Sequence, residues 1–333
     1  MKKIAVVTIA VVLVALGVFW IQRDSDPKGE EPFRIAFNTW IGYSPLVIAK
    51  EKGYLDEAGL DVEITFLEDI GSKNSALLRG DIDGVGHTAD SAVTSAAAGV
   101  DGQVVFVFDQ SLGADAILVK KHIESIEGLR GRKVALEPGF TGHFFFLYLL
   151  EEAGMLPNDV EIVEMDTGSA GGAFVGGSVE AAVTWEPWIG KAKDLDDTRV
   201  LFTSADRPGV IIDVLFMLRE TIDERPDDVE TLVAAIGRAT DWYLENVEEG
   251  NQILAKFWKL DIKEVRDTVA GMQFMRIKEN AEFFGTVAQP GKLQHVIERA
   301  DALWRKAGVT EKPVTASGLV DFKSLNAAAS RGN

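Results

Sequence analysis

A six-residue pattern occurs twice in this chain, first as GDIDGV over Gly80–Val85 and again as GSVEAA over Gly177–Ala182. Each copy follows a stretch with a helical pattern, Ser72–Arg79 or Ser169–Gly176, and leads into a short apolar strand. A helix, a glycine stop and a strand make one α/β unit, and ligands bind where such strands end. The repeat therefore predicts two similar lobes whose strand ends face one crevice.

The alternation of strands and helices continues along most of the chain, which predicts an α/β fold with a mixed sheet flanked by helices in each lobe. A chain of 333 residues is also long enough for about two domains. We expect lobe 1 to comprise residues 32–112 and 214–333, and lobe 2 to comprise residues 113–213. The chain then crosses between the lobes twice, near Gly113 and Asp213, and two crossings make a hinge.

Apolar or alternating runs predict the strands, whereas the chain beyond Pro226 shows only the pattern of amphipathic helices. Besides the strand that follows the first copy of the motif, the predicted strands are Phe33–Phe37, Val62–Phe66, Val104–Phe108, Ala116–Val119, Lys133–Leu136, Glu161–Met165, Ala181–Thr184, Val200–Thr203 and Val214–Leu218.

The N-terminus has the pattern of an export signal, because two lysines precede an apolar run from Ile4 to Ile21. Ala15–Gly17 resembles a cleavage site, yet the run is also just long enough to span a bilayer. Residues 1–31 are therefore either a cleaved signal peptide or a retained membrane anchor, in both cases with a polar tether. Either alternative locates the remaining chain in the periplasm or on the extracellular face.

Composition excludes several classes of function. A net charge of −18 argues against a nucleic-acid partner. The chain has no cysteine, so disulfides, thiolate metal ligands and a thiol nucleophile are excluded. Four histidines without paired spacing disfavour a metal site, and no nucleotide-binding or hydrolase motif is present. We expect a monomeric protein that binds a small solute, without catalysis, cofactor or metal.

Three predicted helix openings, Gly42–Ser44, Thr88–Asp90 and Phe140–Gly142, combine a hydroxyl with the backbone N–H groups of a helix N-terminus. Such an end carries partial positive charge and suits an anionic group. The alternative is that the three hydroxyl residues only cap their own helices. In the predicted layout all three openings face the crevice.

Acidic and aromatic residues also collect at the predicted strand ends. A carboxylate inside a closing crevice needs a cation or hydrogen bonds, and flat aromatic side chains attract small cations. Asp115 and Asp213 lie at the two crossings, where a ligand ammonium or amidinium would meet them. The predicted ligand-binding residues are Trp40, Tyr43, Ser44, Thr88, Ala89, Asp90, Asp115, Phe140, Thr141, His143, Trp185, Glu186 and Asp213.

Four segments together resemble a known family: Trp40–Pro45 (WIGYSP), Gly113–Ile117 (GADAI), Gly128–Ala135 (GLRGRKVA) and Trp185–Trp188 (WEPW). They are similar to the solute-binding proteins of ABC importers for nitrate, taurine and alkanesulfonates. The resemblance extends over about residues 33–325. It implies a two-lobed periplasmic-binding-protein fold of type II-like form, which closes on a solute and then docks onto a membrane permease with its ATPase.

The resemblance also carries implications for individual residues. Thr141 and His143 stand where taurine-type members keep groups near the sulfonate, and Asp115 and Asp213 stand where an acid faces the amine. Asp90 stands at a position where a purely anion-binding site would rather have a neutral residue. An amine-bearing or zwitterionic ligand therefore fits best.

Two alternatives remain on the same scaffold. One is a protein of pyrimidine-precursor metabolism related to thiamine biosynthesis, either an enzyme or a binding protein. The enzymes of that kind depend on a cysteine-rich segment, which this chain lacks. The other is a membrane-tethered sensor module whose signalling partner would be a separate protein.

Overall fold

The computed structural model describes residues 31–286 and 288–331. The predicted export segment lies outside the described residues, apart from its last position. Within the described part of the chain, no helix is both long and apolar enough to cross a membrane. The residues from Phe33 onward form one compact unit.

Two mixed β-sheets form the centre of this unit. Their strands are β1 (Phe33–Phe37), β2 (Val62–Phe66), β3 (Gly84–Thr88), β4 (Gly102–Ser111), β5 (Asp115–Lys120), β6 (Lys133–Leu136), β7 (Glu161–Glu164), β8 (Ala181–Trp185), β9 (Thr198–Thr203), β10 (Ile212–Leu218) and β11 (Met272–Phe274).

The two sheets repeat one strand pattern. The first has the order β11-β4-β10-β3-β1-β2 and the second the order β7-β6-β8-β5-β9. In each, three parallel strands are followed by an antiparallel one: β2-β1-β3 then β10, and β7-β6-β8 then β5. The strands after the two sequence motifs, β3 and β8, thus hold equivalent places. The mixed sheets predicted from the repeat are confirmed.

The glycines of the repeated motif end helices in the way that the sequence predicts. Gly80 and Gly177 adopt φ angles of 69° and 77°, in the left-handed region that glycine occupies without strain. The chain can therefore leave each helix sharply and enter β3 or β8.

Helices cover the faces of both sheets. They are α1 (Ser44–Glu51), α2 (Tyr54–Glu57), α3 (Ile70–Arg79), α4 (Ala89–Ala97), α5 (Thr141–Glu152), α6 (Thr167–Val175), α7 (Trp188–Lys193), α8 (Arg219–Glu224), α9 (Pro226–Glu245), α10 (Val247–Trp258), α11 (Ile262–Val269), α12 (Ile277–Phe284), α13 (Lys292–Lys306), α14 (Ala316–Leu319) and α15 (Phe322–Arg331).

The chain passes between the sheets twice, from β4 to β5 and from β9 to β10, and the two connections are bonded to each other. The hydroxyls of Ser111 and Ser204 lie 2.7 Å apart, and the Gly113 N–H donates to Ser204 Oγ at 2.7 Å. The Ser111 N–H also donates to the Ile211 carbonyl at 3.1 Å. These contacts form the two-stranded hinge that the sequence predicts.

Candidate functional site

Strand ends of both sheets meet around one small cavity. Its volume is about 10 Å³, close to the smallest space that holds one water molecule. The lining residues are Asn38, Trp40, Tyr43, Thr88, Asp115, Phe140, Thr141, Trp185, Ile211 and Asp213. All but Asn38 and Ile211 belong to the predicted set, so sequence reasoning missed two of the lining residues.

Strand register explains why the polar residues converge. In the first sheet Asp213 of β10 lies opposite Thr88 on β3 and opposite Asp109 on β4. In the second sheet Asp115 at the start of β5 lies opposite Trp185 at the end of β8. Because β3 and β8 hold equivalent places, each sheet presents an acid, Asp213 on β10 or Asp115 on β5, opposite the last residue of the neighbouring antiparallel strand, β3 or β8.

A hydrogen bond joins two hydroxyls in the cavity wall. Thr88 Oγ1 lies 2.7 Å from Thr141 Oγ1, and Thr88 precedes α4 whereas Thr141 is the first residue of α5. Thr88 Oγ1 also donates to Ser91 Oγ at 2.9 Å, and neither threonine hydroxyl caps its own helix. The alternative that these two hydroxyls only cap their helices is therefore wrong, and the N-termini of α4 and α5 face each other.

Ser44 behaves differently from the two threonines. The sequence places it as the N-cap of its helix, but the N-cap is Tyr43 and Ser44 is the first helical residue. Its hydroxyl donates to the Ile41 carbonyl, within the short 3-10 turn that precedes α1. Ser44 is buried beside the cavity region without lining the cavity.

The carboxyl groups in and behind the cavity wall are buried and short of partners. Asp213 accepts a hydrogen bond from Trp40 Nε1 at 3.0 Å, and one oxygen of Asp115 has no hydrogen-bond partner. Both oxygens of Asp109, which is 0% exposed, also have none. Burial raises the pKa of Asp115 to about 6, and it raises those of Asp109 and Asp213 as well. Such groups are stabilised by an entering cation.

A glycine makes room for this arrangement. A Cβ at Gly42 would lie 2.4 Å from Trp40 Nε1 and 2.6 Å from an oxygen of Asp109. Any side chain at this position would push the indole or the carboxylate away. Gly42 thus allows Trp40 to reach Asp213.

Two other predicted residues, Ala89 and Asp90, are the first residues of α4 and do not line the cavity. Asp90 is 0% exposed and one of its carboxylate oxygens has no partner. Burial raises its pKa to about 7, against hydrogen bonds from neighbouring groups that lower it. The Asp90 backbone carbonyl accepts a bond from Trp304 Nε1 at 3.1 Å.

Lys73 is a functional candidate that the sequence analysis missed. Its side chain is fully buried, and Nζ donates to Asn38 Oδ1 at 2.6 Å and to the Gly86 carbonyl at 2.9 Å. Nζ lies 5.7 Å from the centre of the Phe140 ring. Burial lowers the pKa of Lys73 to about 7. A lysine in a helical pattern is normally solvent-exposed, so the sequence offered no signal for it.

Aromatic rings form one side of the cavity. Trp40 of the first sheet and Trp185 of the second have ring centres 5.6 Å apart, and Phe140 lies 6.2 Å from Trp185. Trp40 and Trp185 also line a larger crevice of about 600 Å³. The two indoles thus stand between the small cavity and this crevice.

The remaining predicted residues lie outside the small cavity. Glu186 lines the larger crevice and accepts a hydrogen bond from the Gly190 N–H at 2.9 Å. His143 Nδ1 accepts a bond from the Gly139 N–H at 3.1 Å, and its ring packs 5.3 Å from Trp304. Burial lowers the pKa of His143 to about 4, so the ring is neutral near pH 7.

A comparison with known proteins places this geometry in a class. The fold is that of the periplasmic binding proteins: the structure matches the crystal structure of the periplasmic aliphatic sulphonate binding protein SsuA from Escherichia coli with a TM-score of 0.72. Identity is 20%, and the match covers 87% of this chain and 92% of that one. The desulfurization enzyme DSZB shares the fold at a TM-score of 0.63 and 15% identity, over 90% of this chain and 99% of its own.

The chain belongs to the family described as NMT1/THI5 like, whose model matches residues 40–250. A Brucella abortus protein whose name refers only to binding is 30% identical over 69% of this chain and 72% of its own length. A Bacillus subtilis protein whose name refers to aliphatic sulfonate binding is 25% identical over 96% and 95%. The taurine-binding periplasmic protein of Escherichia coli is 26% identical over 63% and 68%.

Proposed function

We propose that this chain is the extracytoplasmic solute-binding component of an ABC importer and that it binds a small amine-bearing solute between its two sheets. The observation that carries the proposal is the unpartnered oxygen of Asp115, which is 5% exposed and lines a cavity built from both sheets. A buried carboxylate without a partner is unfavourable unless a cationic group meets it. The names of the relatives, which refer to sulfonate and taurine binding, support the class of function.

Closure of two lobes is part of the proposal. We assign residues 32–112 and 212–333 to one lobe and residues 113–211 to the other, because β10 belongs to the first sheet from Ile212 onward, two residues before the boundary predicted from the sequence. The lobes join at the bonded connections of Ser111 and Ser204. The cavity has room for about one water molecule and is too small for an organic amine. Ligand entry therefore requires the lobes to separate, which breaks the contact between Thr88 and Thr141.

The ligand-binding residues of this proposal are those that line the cavity, with the two indoles as walls and the acids as partners of the ammonium group. Trp40, Trp185 and Phe140 supply aromatic faces, and Asp115 and Asp213 supply the charge. The other five predicted residues do not line the cavity and make no direct contact with the ligand in this proposal: Ser44, Ala89, Asp90, His143 and Glu186.

In this proposal the protein is an exported monomer, and it delivers its solute without changing it chemically. Residues 1–31 then serve as the export segment, and the permease with its ATPase is the partner. An enzyme would instead consume the solute, so recovery of intact ligand from the protein is the discriminating observation.

The test is thermal unfolding of the purified full chain with a panel of small alkylamines, amidines, amino-sulfonates, alkanesulfonates and nitrate. A ligand at 100-fold above its Kd stabilises the native state by about 2.7 kcal/mol. We expect amine-bearing members to raise the unfolding temperature. A panel in which no amine-bearing compound does so would refute the proposal.

A matched pair of variants makes the test specific. Asp213→Asn should weaken the binding of the best amine more than tenfold, or about 1.4 kcal/mol. Asp223→Asn changes an acid on the exposed surface of α8 and should leave the affinity unchanged. Equal affinity in both variants would remove Asp213 from the site.

A further inference from the structure

One part of the cavity wall has the features of an anion site, because two helix N-termini meet there. The N-termini of α4 and α5 approach each other through the 2.7 Å contact between Thr88 and Thr141. Each N-terminus carries roughly half a positive charge. A zwitterionic solute would place its sulfonate or carboxylate at such a point.

This chain already holds an acid of its own directly behind that contact: Thr88 Oγ1 donates to Ser91 Oγ at 2.9 Å, and Ser91 Oγ donates to Asp90 Oδ2 at 3.5 Å. Asp90 is the second residue of α4, its side chain is 0% exposed, and one carboxylate oxygen has no partner. Its charge interacts with those of Asp115 and Asp213, so it belongs to the same electrostatic environment as the cavity. An acid in the first turn complements the helix dipole, as an incoming anion would.

The buried charges near the cavity also favour a ligand without an anionic group. Two carboxyl groups, those of Asp115 and Asp213, line the cavity, and those of Asp90 and Asp109 are buried behind its wall. The cation among the described buried residues there is Lys73. An anionic group on the ligand would add a fifth acid to this cluster. A cationic group would offset the excess and lower the free energy of the buried acids.

We propose that Asp90 determines specificity by occupying the place of a ligand anion, so that the solute is a compact cation without a sulfonate or carboxylate. Alkylammonium, amidinium and guanidinium ions belong to this class. The inference rests on the proposed function and narrows it. It separates the ligand of this chain from the taurine and sulfonates to which the names of its relatives refer.

The raised pKa of Asp90, about 7, supports this assignment. The dominant cause is burial, and the charge of Asp115 raises it further. A cation in the cavity would favour the ionised form of Asp90 at neutral pH. An anion would favour the protonated form and would meet a site that is already crowded with acids.

The experiment compares matched ligands that differ by one anionic group, using isothermal titration calorimetry on the full chain. Propylamine is paired with taurine, and methylguanidine with guanidinoacetate. We expect the cation of each pair to bind at least tenfold more tightly than its zwitterionic partner. Taurine that binds as tightly as propylamine would overturn the inference while leaving the proposed function standing. Failure of all four compounds would overturn both.

A variant reverses the preference. Asp90→Asn removes the resident charge at nearly the same volume, so taurine should gain at least tenfold relative to propylamine. Asp223→Asn is the control, and its ratio of affinities should equal that of the wild type. An unchanged ratio in a folded Asp90→Asn protein would refute the role of Asp90. If that variant does not fold, the wild-type ligand pairs decide the question by themselves.

Discussion

The substitution Asp115→Asn should stabilise the ligand-free protein while it weakens ligand binding. Burial raises the pKa of Asp115 from its ordinary value of 3.8 to about 6. Because each pKa unit corresponds to about 1.4 kcal/mol, ionising this group in the native state costs about 3 kcal/mol at neutral pH. An asparagine keeps the shape and carries no charge, so most of this cost disappears.

The sign of the pH dependence follows from the same values. The native state holds the proton of Asp115 more tightly than the unfolded state does. The contribution to the free energy of unfolding is therefore fully present below about pH 4 and is lost as the pH rises to about 6. The wild type should lose about 3 kcal/mol over this interval from Asp115, and Asp115→Asn should lack that component.

Urea unfolding at pH 4.5, 6 and 7.5 measures the effect, because the difference between variant and wild type should grow with pH. Asp223→Asn serves as the control for removing one acid from the surface. The affinity for the best amine should fall more than tenfold in Asp115→Asn and remain constant in the control. A variant that is less stable than the wild type at pH 7.5 would refute the claim that Asp115 is an uncompensated buried charge.

Three further predictions concern the cavity wall and its charge. Trp185→Ala should weaken amine binding by about 0.5–2 kcal/mol, through loss of one aromatic face, while circular dichroism still records a cooperative melt. Thr141→Val removes the hydroxyl that meets Thr88, so the closed form loses about 0.5–1.5 kcal/mol and small-angle scattering should give a larger radius of gyration without ligand. The affinity for amines should increase from pH 5.5 to 7.5. The reason is that Asp115 ionises with a pKa of about 6 and Lys73 loses its proton with a pKa of about 7. Calorimetry that finds a constant affinity over this range would contradict the prediction.

The sequence predicted most of the fold because its local signals agree with one another. Strands β1, β2 and β6 have the bounds expected from their apolar patterns, and the repeated glycine motif marks equivalent strands of the two sheets. The three-residue strand β11 was missed, since so short a segment has no periodicity and is fixed only by pairing with β4. The short helix α7 after Pro187 was missed for a similar reason.

The site was predictable in its residue types and less so in its contacts. The lining of the cavity follows from strand ends, which a sequence reveals, whereas the partners of a side chain depend on the neighbouring element. Ser44 and His143, which the sequence predicts at the ligand, lie outside the lining of the small cavity and bond to backbone groups nearby. Lys73 could not be found at all, because its burial depends on contacts with Asn38 and Gly86 from other elements.

The two inter-sheet connections have a mechanical consequence for the acids beside them. Asp115 is the first residue of β5 and Asp213 the second residue of β10, and each strand runs antiparallel to both of its neighbours in the sheet. A rotation at the joint between Ser111 and Ser204 would therefore directly change the distance between the two carboxylates. A ligand bound by both carboxylates would bridge this joint. Ligand binding alone would then fix the angle between the two sheets.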